Sequence, residues 1–251
     1  MKLKDIYDQI AYGELRHVVL GTGPIATAEG DGIPKENYEK IYPFVTMALT
    51  ELHKRFLLRE RTLSIELQGG QVSYVISTAF AESNAKSAEA VKYIKDSADP
   101  FEDDFMQIER VYGTYLDKAY EIPLNEIDNG ESIRTSAYNI LQVPDDPELA
   151  CWLNETANLK VVYRANHPSI RKILANAAPG QTEIYLPHAY MEPLIWYIAS
   201  RATNVGGIQQ EFHEGNNYYS KFEAACALIN NQNLRVNSYS ENTKLTDRGF
   251  I

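Results

Sequence analysis

The change of hydrophobic period that decides the fold lies in residues 40–67, which read KIYPFVTMALTELHKRFLLRERTLSIEL. Apolar side chains first recur at helical spacing, which predicts a helix from about Lys35 to Arg59. Its apolar face consists of Tyr38, Ile41, Tyr42, Val45, Leu49, Leu52 and Phe56. In RTLSIEL the period changes to two, which is typical of a strand. A helical part is therefore predicted to pass into a β part at about residue 60.

The predicted β part extends far beyond this point. RTLSIEL and QVSYVIST flank Gly69–Gly70, and adjacent glycines favour the tight turn of a hairpin. Later strand-like runs are QIERVYGTY, KAYEIPLN, SIRTSAYNILQVP and LKVVYRANHP. Together these runs predict a small antiparallel layer of about five or six strands. Residues 79–104 form an excursion from this layer, with a predicted short helix from Lys86 to Lys95.

The excursion ends in an acidic cluster, Glu102, Asp103 and Asp104. Neighbouring carboxylates can bind a cation, but charges in a loop are more often simply solvated. We interpret the cluster as solvated loop charges.

Three more helices are predicted outside the β part. In the first 15 residues, the side chains on one side are Leu3, Ile6, Ile10 and Leu15. PHAYMEPLIWYIASRAT is apolar nearly all round, and Pro193 within it predicts a kink or a late start. A last helix, from about Ile208 to Asn230, has on one face Phe212, Tyr219, Phe222, Cys226 and Ile229. Residues 231–251 show neither helical nor strand periodicity and are predicted to form a flexible, extended tail.

A glycine-rich stretch near the start, HVVLGTGPIATAEGDG, contains the spacing G-x-G-x-x-A at Gly21, Gly23 and Ala26. This spacing is found in dinucleotide-binding loops, where a helix follows the glycines directly. Here the helix is interrupted by Pro24, Gly30, Gly32 and Pro34. We therefore interpret residues 20–34 as a glycine-rich loop and predict no cofactor-binding residue.

Composition excludes several classes of function. The net charge of −10 argues against a dedicated DNA or RNA binder, which needs a basic face. No stretch is long and apolar enough for a membrane span, and the start lacks the apolar core of a signal peptide, so a cytosolic protein is expected. The chain has 17 tyrosines, which could serve subunit contacts or internal packing.

No catalytic or metal-binding motif stands out. The five histidines form neither H-x-x-x-H nor H-E-x-x-H, and Cys151 and Cys226 are too far apart for a zinc motif. We expect no catalytic, cofactor-binding or metal-binding residues, and therefore no enzyme. Two alternatives remain: a hydrolase of cell-wall glycan with two of the 34 acidic residues as its catalytic pair, and a nucleotide-dependent enzyme using Gly21 to Ala26.

Two segments resemble the head-to-tail adaptor (connector) proteins of short-tailed bacteriophages. The first is KIYPFVTMALTELHKRFLLRERTLSIEL followed by SYVIS, with the family pattern AL.EL..RF. The second is IYLPHAYMEPLIWYIASRATN followed by EGNNYYSKFEAACALINNQNL, with LP, YIASRA and YY.KFE. The positions that fall on the pattern are Leu52, Arg55, Phe56, Tyr197, Ala199, Ser200, Arg201, Tyr218, Tyr219, Phe222 and Glu223. Pro193 and the 79–104 excursion depart from it.

The resemblance implies an α+β fold, an α-helical bundle with a small inserted antiparallel β domain. The expected boundaries are 1–60 and 185–230 for the bundle, 61–184 for the inserted β domain and 231–251 for the tail. As bundle core we expect Leu52, Phe56, Trp196, Tyr197, Tyr219 and Phe222.

The resemblance also implies a structural virion protein. It would form a ring, of twelve copies in that family, at the head-tail junction after assembly in the host cytoplasm. Expected partners are other copies of the chain, the portal protein, and tail nozzle or tail fibre proteins, with DNA passing through the channel without specific binding. The tail is expected to dock on the portal through Lys244, Arg248, Phe250 and Ile251.

Overall fold

The computed structural model describes residues 1–13, 15, 19–20, 23–24, 33–115, 118–126, 132–144, 158–170, 180–203 and 209–232. The chain divides into two compact units. Unit 1 comprises Met1–Leu58 and His167–Ile251, and unit 2 comprises Arg59–Asn166. The predicted boundaries of the inserted part are residues 61 and 184. Unit 2 begins close to the first boundary, but it ends at Asn166, before the second.

Unit 1 contains four helices in its described part: α1 (Leu3–Tyr12), α2 (Lys35–Arg55), α3 (Met191–Thr203) and α4 (Gln209–Asn231). Between α1 and α2, the two-residue strands β1 (Val19–Leu20) and β2 (Gly23–Pro24) pair antiparallel. All four helices contribute to one buried core, which includes Ile6, Leu49, Leu52, Leu194, Ile198, Phe222 and Ile229. The helical period of the sequence therefore corresponds to burial against neighbouring helices.

Proline and the backbone set where α3 starts. Pro187 precedes a short 3-10 turn, His188–Tyr190, and α3 begins at Met191. Pro193 then lies in the first turn, where backbone N–H groups have no intrahelical acceptor and proline costs little. Pro193 was predicted to cause either a kink or a late start of this helix, and the structure shows the late start.

Unit 2 contains eight strands in its described part: β3 (Glu60–Glu66), β4 (Ser73–Val75), β5 (Ile94–Lys95), β6 (Phe105–Tyr115), β7 (Lys118–Ile122), β8 (Arg134–Ala137), β9 (Ile140–Gln142) and β10 (Asn158–Ala165). They form a five-stranded sheet in the order β5-β3-β10-β6-β7 and a three-stranded sheet in the order β4-β9-β8. The pairings within both sheets are antiparallel. Both sheets contribute to a second core, which includes Leu63, Ile65, Tyr74, Val111, Leu141, Leu159 and Val161.

The predicted fold class, an α-helical bundle with a small inserted β domain, is wrong. Besides the short β1–β2 pair, the described residues form four helices and two larger antiparallel sheets with eight strands in total, with 39% of residues helical and 27% in strands. This is a mixed α+β fold. The β content was underestimated because alternating hydrophobicity can indicate one strand at a time, whereas the sheet to which a strand belongs depends on partners far away in the sequence.

The predicted hairpin at Gly69–Gly70 is also wrong. β3 pairs with β10 and β5, whereas β4 pairs with β9 in the other sheet. The turn itself exists: Gln71 donates its backbone N–H to the Gln68 carbonyl at 3.0 Å, and Gly70 has a φ of 79°. Positive φ at the third turn position is typical of a type II turn, which splays flanking strands, unlike the primed turns of hairpins. The glycines therefore direct the chain from one sheet to the other.

The helix predicted from Lys86 to Lys95 does not form. Residues 86–93 are turns and irregular backbone, and Ile94–Lys95 is strand β5 at the edge of the larger sheet. Asn84 and Ser87 accept backbone N–H bonds through their side chains, from Lys86 at 3.2 Å and Glu89 at 3.2 Å. Such local bonds compete with helical hydrogen bonding and favour turns.

Candidate interaction surface

Arg55, at the end of α2, joins that helix to α4. Its Nη1 and Nη2 donate to the two carboxylate oxygens of Glu223, at 2.7 Å each, and its Nε donates to Glu51 at 3.0 Å. Nη2 also lies 3.3 Å from the Tyr219 hydroxyl. The hydrogen bonds with Glu223 raise the pKa of the Arg55 guanidinium and lower the pKa of the Glu223 carboxyl. This bidentate ion pair fixes the relative orientation of the two side chains and also brings their opposite charges together.

Aromatic rings extend this cluster to α3. The Arg55 guanidinium lies 4.6 Å from the centroid of the Phe222 ring, and Phe222 meets Tyr197 edge-on at 5.0 Å. Arg201 lies 5.0 Å from the Tyr197 ring and donates to its hydroxyl at 3.2 Å. A continuous set of contacts therefore links α2, α3 and α4 through residues that carry the family resemblance.

The six residues predicted as bundle core have three different environments. Leu52, Phe56, Tyr197 and Phe222 are buried, Trp196 is partly buried, and Tyr219 is exposed, with 37% of its surface accessible. Tyr219 directs its hydroxyl to the Arg55–Glu223 pair at the border between α2 and α4. Placing Tyr219 in the core was wrong. Helical spacing shows which side of a helix faces the core, but it does not distinguish a buried position from an exposed one at the edge of that side.

Trp196 forms an aromatic pair near the surface of unit 1. Its ring stacks on Tyr218 at a centroid distance of 5.8 Å, and the Lys221 ammonium lies 4.3 Å from the Trp196 centroid. The indole N–H points to Glu192 at 3.3 Å. The lysine thus covers an aromatic surface within its own unit.

The described tyrosines include both buried and exposed side chains. The largest fully buried side chains include Tyr74, Tyr93, Tyr163 and Tyr190. Exposed large apolar side chains include Tyr12, Tyr138 and Tyr185, together with Met47, Val72 and Leu228. Exposed aromatic residues are enriched at protein interfaces, so these positions are candidates for contacts with other proteins.

Glu102 and Asp103 of the acidic cluster are exposed, as predicted for solvated charges, but Asp104 is buried. Its carboxylate accepts hydrogen bonds from Arg59 at 2.9 Å, from Arg61 at 3.0 Å and from the Tyr163 hydroxyl at 2.9 Å. The Asp104 carbonyl accepts the Asn166 N–H at 2.7 Å. Asp104 therefore ties the first and last strands of unit 2, β3 and β10, together.

Sequence reasoning missed this network and a second buried acid, Asp96. The Asp96 carboxylate accepts bonds from the Ser83 hydroxyl at 2.5 Å and from the Phe101 N–H at 2.8 Å. Burial raises the pKa of Asp96, but these hydrogen bonds outweigh it and lower the pKa overall. A sequence signal for a buried acid existed: Arg61 shares the inward face of β3 with the apolar residues Leu63 and Ile65.

His53, His167 and Cys226 occupy structural positions in unit 1. The Nδ1 atom of buried His53 donates to the Leu49 carbonyl at 2.8 Å, and His167 accepts the Tyr185 N–H on Nε2 at 3.2 Å. Cys226 is a buried free thiol, and burial raises its pKa to about 11. Among the described residues, no group of three or more metal-binding side chains is placed to hold an ion.

Several predicted positions lie outside the described residues. They include the four tail residues Lys244, Arg248, Phe250 and Ile251, together with Gly21, Ala26 and Cys151. Gly23 pairs with Leu20 across the short strands β1 and β2.

Comparison with known proteins assigns the chain to no family: no protein-family model and no curated protein matches it. Within the described part of the chain, no helix has the length and apolar character needed to cross a membrane.

The Arg55–Glu223 pair gives a test by pH. At pH 7 we expect Glu223→Gln to lower the free energy of unfolding by about 0.5–1 kcal/mol, since the pair is partly exposed. The pKa of Glu223 is lowered in the folded state, so its stabilisation is present above the ordinary pKa of 4.5 and is lost as the pH falls through the folded-state value. Denaturant titrations at pH 7 and pH 3 should therefore show a larger difference between variant and wild type at pH 7 than at pH 3. An equal difference at both pH values would contradict this role of the charge.

Proposed function

We propose that the chain is a head-to-tail adaptor of a short-tailed bacteriophage, a structural virion protein without catalytic activity. The observation that carries this proposal is the Arg55 cluster. Arg55 and Glu223 come from the two sequence segments that resemble the adaptor family, lie 168 residues apart and form a two-pronged ion pair. Contacts among the resembling residues support the view that the two segments are one structural motif.

In this function, copies of the chain form a ring at the neck of the virion, between the portal and the tail nozzle or tail fibre proteins. The net charge of −10 is compatible with a channel wall that DNA passes without being held, because an acidic surface repels phosphate. The tail residues Lys244 and Arg248 supply positive charge for pairing with an acidic portal surface, and Phe250 and Ile251 supply apolar anchors.

The three described carboxyls with a shifted pKa, Asp96, Asp99 and Glu223, offer no candidate for the catalytic acid of a hydrolase. A catalytic acid in a two-carboxylate hydrolase needs a raised pKa. The carboxyls with a shifted pKa in the described part are Asp96, Asp99 and Glu223, and each is shifted downward. At Asp99 and Glu223 the main cause is a hydrogen bond from an arginine, which is typical of a structural ion pair.

Binding to a portal tests the proposal. The full chain and a variant lacking residues 233–251 are mixed with a purified portal ring from the same source, and bound chain is measured by sedimentation. We expect the full chain to cosediment and the deletion to reduce binding at least about tenfold, because the basic and apolar anchors are lost. The double substitution Lys244→Glu and Arg248→Glu serves as the charge-specific control. Failure of the full chain to bind the portal would contradict the proposed function.

A further inference from the structure

Between Asn217 and Asn231, the outward side of α4 carries no charged residue. Its exposed positions are Asn217, Ser220, Ala224, the adjacent pair Ala227 and Leu228, and Asn231. We call these six residues the α4 outer face. At 1.5 Å per residue, the face is about 21 Å long. The two charged side chains within this stretch, Lys221 and Glu223, turn to Trp196 and Arg55 instead.

The α4 outer face keeps polar side chains, Asn217, Ser220 and Asn231, but differs from the exposed side of α2 in its lack of charge. Charged residues make up 23% of the chain, and exposed positions on α2 include Glu39, Lys40 and Lys54. The solvent-facing side of a surface helix normally carries charged or polar side chains, whereas the centres of protein interfaces are depleted of charge. Leu228, 54% exposed, adds an apolar side chain to the α4 outer face. Both features indicate a surface that another protein covers.

The charge of the whole chain favours a second copy as that protein. Two copies with a net charge of −10 each repel one another, and like charges brought together at an interface cost several kcal/mol. An uncharged face is therefore the part of the surface where two copies can approach at the lowest electrostatic cost. Ala224 and Ala227 have short side chains, which allows a neighbouring helix to pack closely.

We propose that the α4 outer face is a contact surface between neighbouring copies of this chain, an inference that rests on the proposed ring. The face is roughly 21 Å by 10 Å, far smaller than the about 800 Å² per partner of a stable interface. Association through it is therefore weak in free solution. A portal ring that holds copies side by side raises their effective concentration and allows the contacts to form.

A charge inserted into the face tests the proposal. The variants are Ala227→Glu, the uncharged Ala227→Gln, and Ala90→Glu, which makes the same change at an exposed alanine of unit 2. Sedimentation velocity of the free chain at increasing concentration measures self-association, and electron microscopy on portal rings measures assembly. We expect Ala227→Glu to weaken self-association at least about tenfold and to prevent ring closure, with Ala227→Gln and Ala90→Glu close to wild type.

The outcomes separate this inference from the proposed function. Normal rings from Ala227→Glu would overturn the α4 contact and leave the adaptor proposal standing. Association that stops at two copies, and is lost in Ala227→Glu, would support the α4 contact and count against the ring. A photo-crosslinking amino acid at position 228 that reacts with the portal and never with a second copy would overturn the contact between copies. Absence of any association of the wild type would overturn both.

Discussion

Replacing Asp104 with alanine is expected to lower the free energy of unfolding of unit 2 by about 3–5 kcal/mol, the usual cost of removing one partner from a buried ion pair. The substitution leaves the Arg61 guanidinium, 9% exposed, and the buried Tyr163 hydroxyl without their shared acceptor. It also removes the carboxylate that holds Arg59, at the start of unit 2. Hydrogen exchange of peptides from β3, β6 and β10, measured in increasing denaturant, reports the stability of unit 2 directly.

Asp99 provides the matched control for this experiment. It pairs with the same residue, Arg61, at 2.6 Å, but its side chain is 73% exposed. Asp99→Ala should therefore change the unfolding free energy by less than about 1 kcal/mol, since exposed ion pairs contribute little. Equal effects of Asp104→Ala and Asp99→Ala would show that burial of Asp104 does not determine the strength of the network.

The second large effect is expected for Phe222→Ala in unit 1. Phe222 is fully buried and contacts Tyr197 edge-on and the Arg55 guanidinium through its ring face. Truncating a buried phenylalanine to alanine removes its apolar contacts and leaves a cavity, at a cost of about 3–5 kcal/mol. Hydrogen exchange of α2, α3 and α4 should show this loss, with unit 2 peptides as the internal reference.

Tyr219→Ala is the control on the same helix, three residues earlier. The Tyr219 ring is 37% exposed and its hydroxyl lies at the Arg55–Glu223 pair. Its removal should cost less than about 1.5 kcal/mol, because little buried surface is lost. A loss as large as that of Phe222→Ala would place Tyr219 in the core and reverse the distinction between these residues.

The helices of this chain could be predicted because the spacing of apolar residues that indicates a helix lies within the helix's own sequence. Apolar residues three or four apart identified α2 and α4 to within a few residues of their observed bounds, Lys35–Arg55 and Gln209–Asn231. The same period could not separate Phe222 from Tyr219, since both lie on one broad side of α4. Their different burial depends on how closely α2 and α3 approach, which the sequence of α4 alone does not contain.

The sheets could not be predicted because strand pairing is not local. Gly69–Gly70 gave a correct turn and a wrong hairpin, since the turn type decides whether the flanking strands meet. β3 pairs instead with β10, where Leu63 lies opposite Val161 nearly a hundred residues later. The role of Asp104 follows from that pairing: only when β10 lies beside β3 does Tyr163 approach the carboxylate that Arg61 also contacts.

The proposed ring is tested most directly by imaging the full chain bound to a portal ring. Electron microscopy of the purified complex, viewed along the channel axis, gives the rotational symmetry and the mass added by the chain. We predict a closed ring of copies of this chain on one face of the portal, with an open channel at its centre. A chain that remains monomeric at every concentration, and adds no density to the portal, would contradict it.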